Sequence, residues 1–131
     1  MRNGIMKKKI FAVIMLGVLA LTGCASGYKD GTYEGKSGPD ENGDYATVSI
    51  TLKDNLIADC KFKTYEANGE EKDAEYAGTS EEAKIAVESV PEYEKMLKER
   101  GDIAEVDAIS GATINYNQLN EAVYDALGKA S

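Results

Sequence analysis

The stretch Asp107-Ala108-Ile109-Ser110-Gly111-Ala112-Thr113 ends in a hydroxyl set on a turn of small residues immediately ahead of a helical pattern. Gly111 permits backbone angles and close approaches that a Cβ would forbid, and Ala112 keeps the next position narrow, so a bulky group can reach the Thr113 oxygen. A phosphate attached there would lie near the unpaired N–H groups and the positive end of the helix dipole. The same residues also serve as ordinary turn punctuation, and local physics alone favours that plainer reading.

The helix that follows fixes where the hydroxyl falls. Asn115 has the side chain of an N-cap, Gln118 occupies the reciprocal capping position, and Ile114 with Leu119 has the spacing of a hydrophobic staple. Tyr116, Leu119, Ala122, Val123, Ala126 and Leu127 form the apolar stripe, with Gly128 as the expected terminator. On this reading Thr113 precedes the cap by two residues and its hydroxyl is not needed to start the helix.

Asp107 to Thr113 resembles the flavinylation motif of the FMN-binding domain family: an aspartate, two residues, then Ser/Thr-Gly-Ala-Thr/Ser. The resemblance extends to Asp30-Gly31-Thr32-Tyr33-Glu34-Gly35, to the strand run from Tyr45 to Leu52, and to the segment from Asn68-Gly69 through Tyr76 to Arg100, covering nearly all of residues 28–129. That family includes flavinylated subunits of sodium-pumping quinone reductases and of ferredoxin-oxidising complexes, and small surface lipoproteins of extracellular electron transfer. The resemblance implies FMN joined by a phosphoester to Thr113, installed from FAD by a separate Mg²⁺-dependent flavin transferase. It also implies supporting roles for Asp107 in orienting the turn or in transferase recognition, for Ser110 in bonding the phosphate, and for Gly111 and Ala112 in giving access. Many relatives carry Ser or Thr two positions after the acceptor, where this chain has Asn115.

Residues 1–23 read as a lipoprotein signal peptide. Arg2, Lys7, Lys8 and Lys9 form a basic start, and Ile10 to Leu21 is an apolar run too short for a convincing membrane span. Leu21-Thr22-Gly23-Cys24 has the residue types of a lipobox, with the Cys24 thiol as the lipidation site. Cleavage after residue 23 of the 131 leaves 108 residues, enough for one core. Residues 24–27 then form the lipidated cysteine and a short tether, and residues 28–131 the FMN-binding domain. That tether reaches only about 10–15 Å when extended, which would hold the domain beside the membrane.

Composition excludes several function classes. There is no histidine, which removes His-based catalysis and most zinc sites, and the run Glu70 to Glu75 lacks the regular spacing and glycine of a calcium loop, so no metal is expected. Once the four basic leader residues of the 15 Lys/Arg are removed, 11 face 23 Asp/Glu, a net charge of −12. So acidic a surface argues against nucleic-acid binding and against electrostatic adsorption to anionic lipid. With Cys24 lipidated, Cys60 has no internal disulfide partner and reads as a buried structural thiol.

Strands are expected near residues 30–37, 45–53 and 56–66, the last two joined as a hairpin through Asp54-Asn55. In the third, Leu56, Ala58, Cys60, Phe62 and Thr64 are expected on one face and Ile57, Asp59, Lys61 and Lys63 on the other. Asn68-Gly69 marks a turn, followed by a charged loop. Thr79 with Glu82 signals a helix start, Pro91 is expected to break or bend that helix, and Ser89 with Glu92 to begin another ending at Gly101. Ile103 to Val106 is expected as a short strand leading into the motif. The fold class is therefore α+β: a small antiparallel sheet with helices packed on one face, and the flavinylation loop preceding the C-terminal helix.

The functional expectation is a membrane-anchored extracytoplasmic flavoprotein, an electron carrier rather than an enzyme, although a redox-subunit role is compatible. Its partners would be the flavin transferase, a membrane quinone-linked oxidoreductase, and the cell membrane through the lipid anchor; a monomer with one flavin is expected. The alternatives are a surface lipoprotein that binds flavin noncovalently and an adhesion- or antigen-type lipoprotein without cofactor. Tyr28, Tyr33, Tyr45, Tyr65 and Tyr116 each have the ring to stack on a flavin, and nothing in the sequence selects among them.

Overall fold

The computed structural model describes residues 27–131; Cys24 and the leader lie outside them. Three strands, β1 (Gly31–Lys36), β2 (Tyr45–Lys53) and β3 (Leu56–Tyr65), form an antiparallel sheet in the order β1-β2-β3. Alternation in β2 sends Ala46, Val48, Ile50 and Leu52 into the core, and Thr47, Ser49 and Thr51 to the other face. Asp54 and Asn55 turn the β2–β3 hairpin with φ of 53° and 69°. Positive φ at both central residues matches the right-handed twist of the strands.

β3 departs from simple alternation. Thr51 pairs with Asp59 but Leu52 pairs with Ile57, so Ala58 is an extra residue, a β-bulge that reverses the side-chain phase. Ile57 therefore joins Cys60, Phe62 and Thr64 on the buried face, while Leu56 is 55% exposed. The expected inward placement of Leu56 and Ala58 is corrected accordingly.

Helices cover one face. After a four-residue helix α1 (Ala74–Ala77), capped by Asp73, comes α2 (Glu81–Arg100), then a 3-10 turn (Ile103–Glu105), then α3 (Thr113–Ala130). Ser80, not Thr79, caps α2, its Oγ accepting the Ala83 N–H at 3.0 Å. Pro91 does not divide α2: it sits on the exposed side, where the carbonyl it leaves without an N–H partner can meet water. Ser89, rather than starting a second helix, bonds back to the Ala86 carbonyl at 2.7 Å. The expected strand at Ile103–Val106 is the 3-10 turn, and α3 runs past Gly128 to Ala130.

One core unites the layers: the inward residues of the sheet with Tyr93 and Leu97 of α2 and Leu119, Ala122, Val123 and Ala126 of α3. α3 lies so close to β1 that a Cβ on Gly35 would stand 1.9 Å from the Ala122 carbonyl oxygen. α3 runs antiparallel to β1, with Gly38 N–H bonded to Glu121 at one level, Lys36 N–H to Asp125 at the next, and Lys29 N–H to the Ala130 carbonyl at the far end. No described helix is long and apolar enough to cross a membrane.

Candidate functional site

α3 begins at Thr113 itself. Ala112 is its N-cap and no side chain caps it. The expected caps are instead interior helical residues: Asn115 and Gln118 are both buried, and Ile114 is exposed rather than stapled to Leu119. The physical reason is spacing. Asn115 is four residues before Leu119 and seven before Ala122, so it shares their core-facing stripe. Thr113 is therefore the first helical residue, solvent-exposed, beside first-turn N–H groups that no helix can satisfy internally.

The loop before it is held from beneath. The Tyr93 hydroxyl accepts the Ile109 N–H at 2.8 Å and donates to the Ala112 carbonyl at 3.0 Å, while Ala112 N–H bonds to the Ile109 carbonyl at 2.9 Å. Tyr93 has no exposed surface. Burial raises its pKa above the ordinary 10.0, against the opposing pull of the Ile109 N–H. Gly111 takes φ of +81°, the left-handed conformation that favours glycine, and a Cβ there would lie 3.1 Å from Ile85 Cγ2. Asn115 Nδ2 donates to the Ala86 carbonyl at 2.8 Å and to Ser89 Oγ at 3.1 Å, fastening the start of α3 to α2.

Thr113 opens into a cleft of about 390 Å³, where Gly111, Ala112, Ile114 and Asn115 meet Ala83 and Ala86 of α2, Tyr76 of α1, and the Asp40–Asp44 loop. That loop is itself tied down, as Asp40 accepts the Asn42 and Asp44 N–H groups. Gln118 Nε2 reaches Asp40 and the Asp44 carbonyl at 3.4 and 3.3 Å, and its Oε1 has no protein partner. Lys72 pairs with Asp44 at 2.8 Å and lies 5.0 Å from the Tyr76 ring centroid. Burial works against its charge, but Asp44 and Tyr76 more than offset this and hold its pKa above the ordinary 10.5.

The structure thus gathers Gly111, Ala112 and Thr113 at the cleft, while Ser110 is exposed outside its lining. Asp107 points elsewhere, pairing with Arg100 at 3.2 Å from a largely exposed side chain. No local sequence signal places Asp40, Asp44, Lys72 or Tyr76 here, since they come from one loop, the segment before α1 and α1 itself. Tyr93 read only as helix stripe. Asn115 carried a usable signal, a polar side chain in phase with a core stripe.

A family model, the FMN-binding domain, matches residues 42–128. The chain belongs to the FMN-binding domain family. No curated protein matches it. Among solved structures, the crystal structure of the CPE2226 protein from Clostridium perfringens is similar at 27% identity and a TM-score of 0.65, over 79% of this chain and 88% of that one. A solution NMR structure from Clostridium thermocellum matches at 24% identity and a TM-score of 0.41, over 75% of this chain and 92% of that one.

Membership makes this a flavin-binding protein, and the residues present fit FMN. The cleft falls within the range of about 300–1,000 Å³ usual for small-molecule sites. Its threonine hydroxyl stands at a helix N-terminus with no acidic residue in the first turn, so a phosphate there would meet N–H donors and no nearby like charge on its own helix. Gly111 leaves the approach to that hydroxyl open.

Proposed function

We infer that this FMN-binding domain carries its flavin covalently, through a phosphoester on Thr113, and serves as a lipid-anchored extracytoplasmic electron carrier between a membrane oxidoreductase and an external acceptor. The observation that carries the reading is the exposed Thr113 hydroxyl on the uncapped first turn of α3, beside the left-handed Gly111 and at the mouth of the cleft. The attachment would form a bond from Thr113 Oγ1 to the FMN phosphorus of FAD and break its pyrophosphate link, with AMP leaving and the hydroxyl proton passing to the transferase. The flavin, once attached, supplies the redox chemistry.

The chain's own residues supply position. Tyr93 fixes the loop, Asn115 fixes the helix start, and the first-turn N–H groups would hold the phosphate. Ser110, exposed one residue before Gly111, would add a donor to the phosphate, and Asp107, exposed at the motif's other end, would be available to a transferase. Covalent attachment suits a protein outside the cytoplasm, where a dissociated cofactor is lost. Cys24 would supply the anchor, and the acidic charge leaves attachment to the lipid.

Co-expression with a flavin transferase tests the reading, by intact mass and in-gel flavin fluorescence. Wild type should gain one FMN and Thr113→Ala none. A wild type without adduct, or an adduct on Thr113→Ala, overturns it.

A further inference from the structure

The start of the described chain and Thr113 lie at opposite poles of the domain. Where the described chain begins, Tyr28 N–H bonds to Asn55 Oδ1 at 2.6 Å in the β2–β3 turn, and Lys29 N–H bonds to the Ala130 carbonyl at 2.9 Å at the end of α3. Thr113 is the first residue of that same helix. Its 18 residues span about 27 Å, and α2 repeats the polarity: its N-terminal residues Ala83 and Ala86 line the cleft, while Gly101 just past its C-terminus accepts from Ile57 beside the hairpin.

The pole bearing Thr113 also has a charge of its own. Asp40, Asp44 and Glu82 line the cleft. A second groove, sharing Tyr76 with it, is lined by Glu66, Glu70, Glu71, Asp73 and Glu75. The one cation in either lining, Lys72, is held by Asp44.

Resting on the anchored-carrier reading, we propose that the Thr113 pole faces away from the membrane and docks a water-soluble redox protein with a cationic face. The tether of about 10–15 Å is shorter than the distance between poles, so the cleft reaches lipid only if the domain tips over. Tipping would bring eight carboxylates toward anionic headgroups, which repel them. The same carboxylates attract a lysine-rich surface and steer its approach, with a strength that falls as salt shortens the screening length. A membrane donor must then reach the flavin through a domain of its own that extends beyond the bilayer.

The test uses the lipidated mature chain in vesicles of mixed phosphatidylcholine and phosphatidylglycerol carrying a headgroup quencher. Intact mass first establishes lipid and FMN; absence of either overturns the carrier reading, and this inference with it. With both present, a fluorescent non-canonical residue at position 53, by the hairpin, should be strongly quenched and one at position 82, by the cleft, little. Equal quenching overturns the orientation. Docking is read by adding a small cationic haem protein, and separately an acidic one, and following quenching of flavin fluorescence. The cationic protein should associate roughly tenfold faster at low salt than the acidic one, and the combined Glu70→Gln, Glu71→Gln and Glu75→Gln variant should lose most of that advantage while Lys61→Gln keeps it. Equal rates for the two haem proteins, or an unchanged triple variant, overturn the docking assignment.

Discussion

The Tyr93 hydroxyl donates to the Ala112 carbonyl across 3.0 Å from a side chain with no exposed surface, joining the middle of α2 to the residue before Thr113. Tyr93→Phe keeps the ring and its edge contact with Phe62 but leaves the Ile109 N–H and Ala112 carbonyl without this partner. The expected loss is about 1–3 kcal/mol of stability, read by urea unfolding. Flavin attachment should slow by more than the unfolded fraction explains, because the turn loses its shape.

Gly111→Ala forces an L residue to φ of +81° and sets its Cβ 3.1 Å from Ile85. The backbone cost alone is about 1–2 kcal/mol. Adding Ile85→Ala relieves the contact but not the backbone, so flavin incorporation measured by fluorescence should recover only in part.

Gly35→Ala meets backbone rather than a side chain, with the Ala122 carbonyl oxygen at 1.9 Å and the Ala126 nitrogen at 2.6 Å. β1 and α3 must separate, at a cost on the order of 3 kcal/mol. Gly128→Ala is the contrast: a Cβ there meets nothing within 4 Å, and the helix should gain up to about 1 kcal/mol. Thermal melts of the two variants should move in opposite directions.

Alkaline pH should weaken the fold. Burial, with Glu94 and Asp59 nearby, raises the Cys60 thiol from 9.0 to about 12. Between those values the unfolded chain has released a proton that the folded chain retains, so stability falls as pH rises. Tyr93 and Lys72, also raised, act in the same direction above their ordinary values. Cys60→Ala should lower stability at neutral pH through the lost packing, yet show a shallower decline between pH 9 and pH 11 in urea titrations.

Local pattern made much of this fold legible. The strands of β1, β2 and β3 were readable because β-branched alternation and the Asp54-Asn55 turn act within a few residues. Ala58 was not, because a bulge is decided by pairing across strands. Pro91 misled because its cost depends on whether the carbonyl it frees can reach water, and Asn115 because capping chemistry and a buried amide use the same side chain. The motif located Thr113, but the cleft walls come from residues 40–44, 72–76 and 80–86, which only the tertiary fold brings together.

The two hydrogen bonds of the Tyr93 hydroxyl also make the turn a reporter of tertiary structure. They span 16 and 19 residues of chain, so the turn is held in this shape only while Tyr93 of α2 is packed beneath it. If Thr113 is flavinylated as proposed, a transferase that reads the turn in this shape would act on the folded chain. Misfolded chains would then stay colourless, and the yellow of the flavin would record which molecules had completed their core.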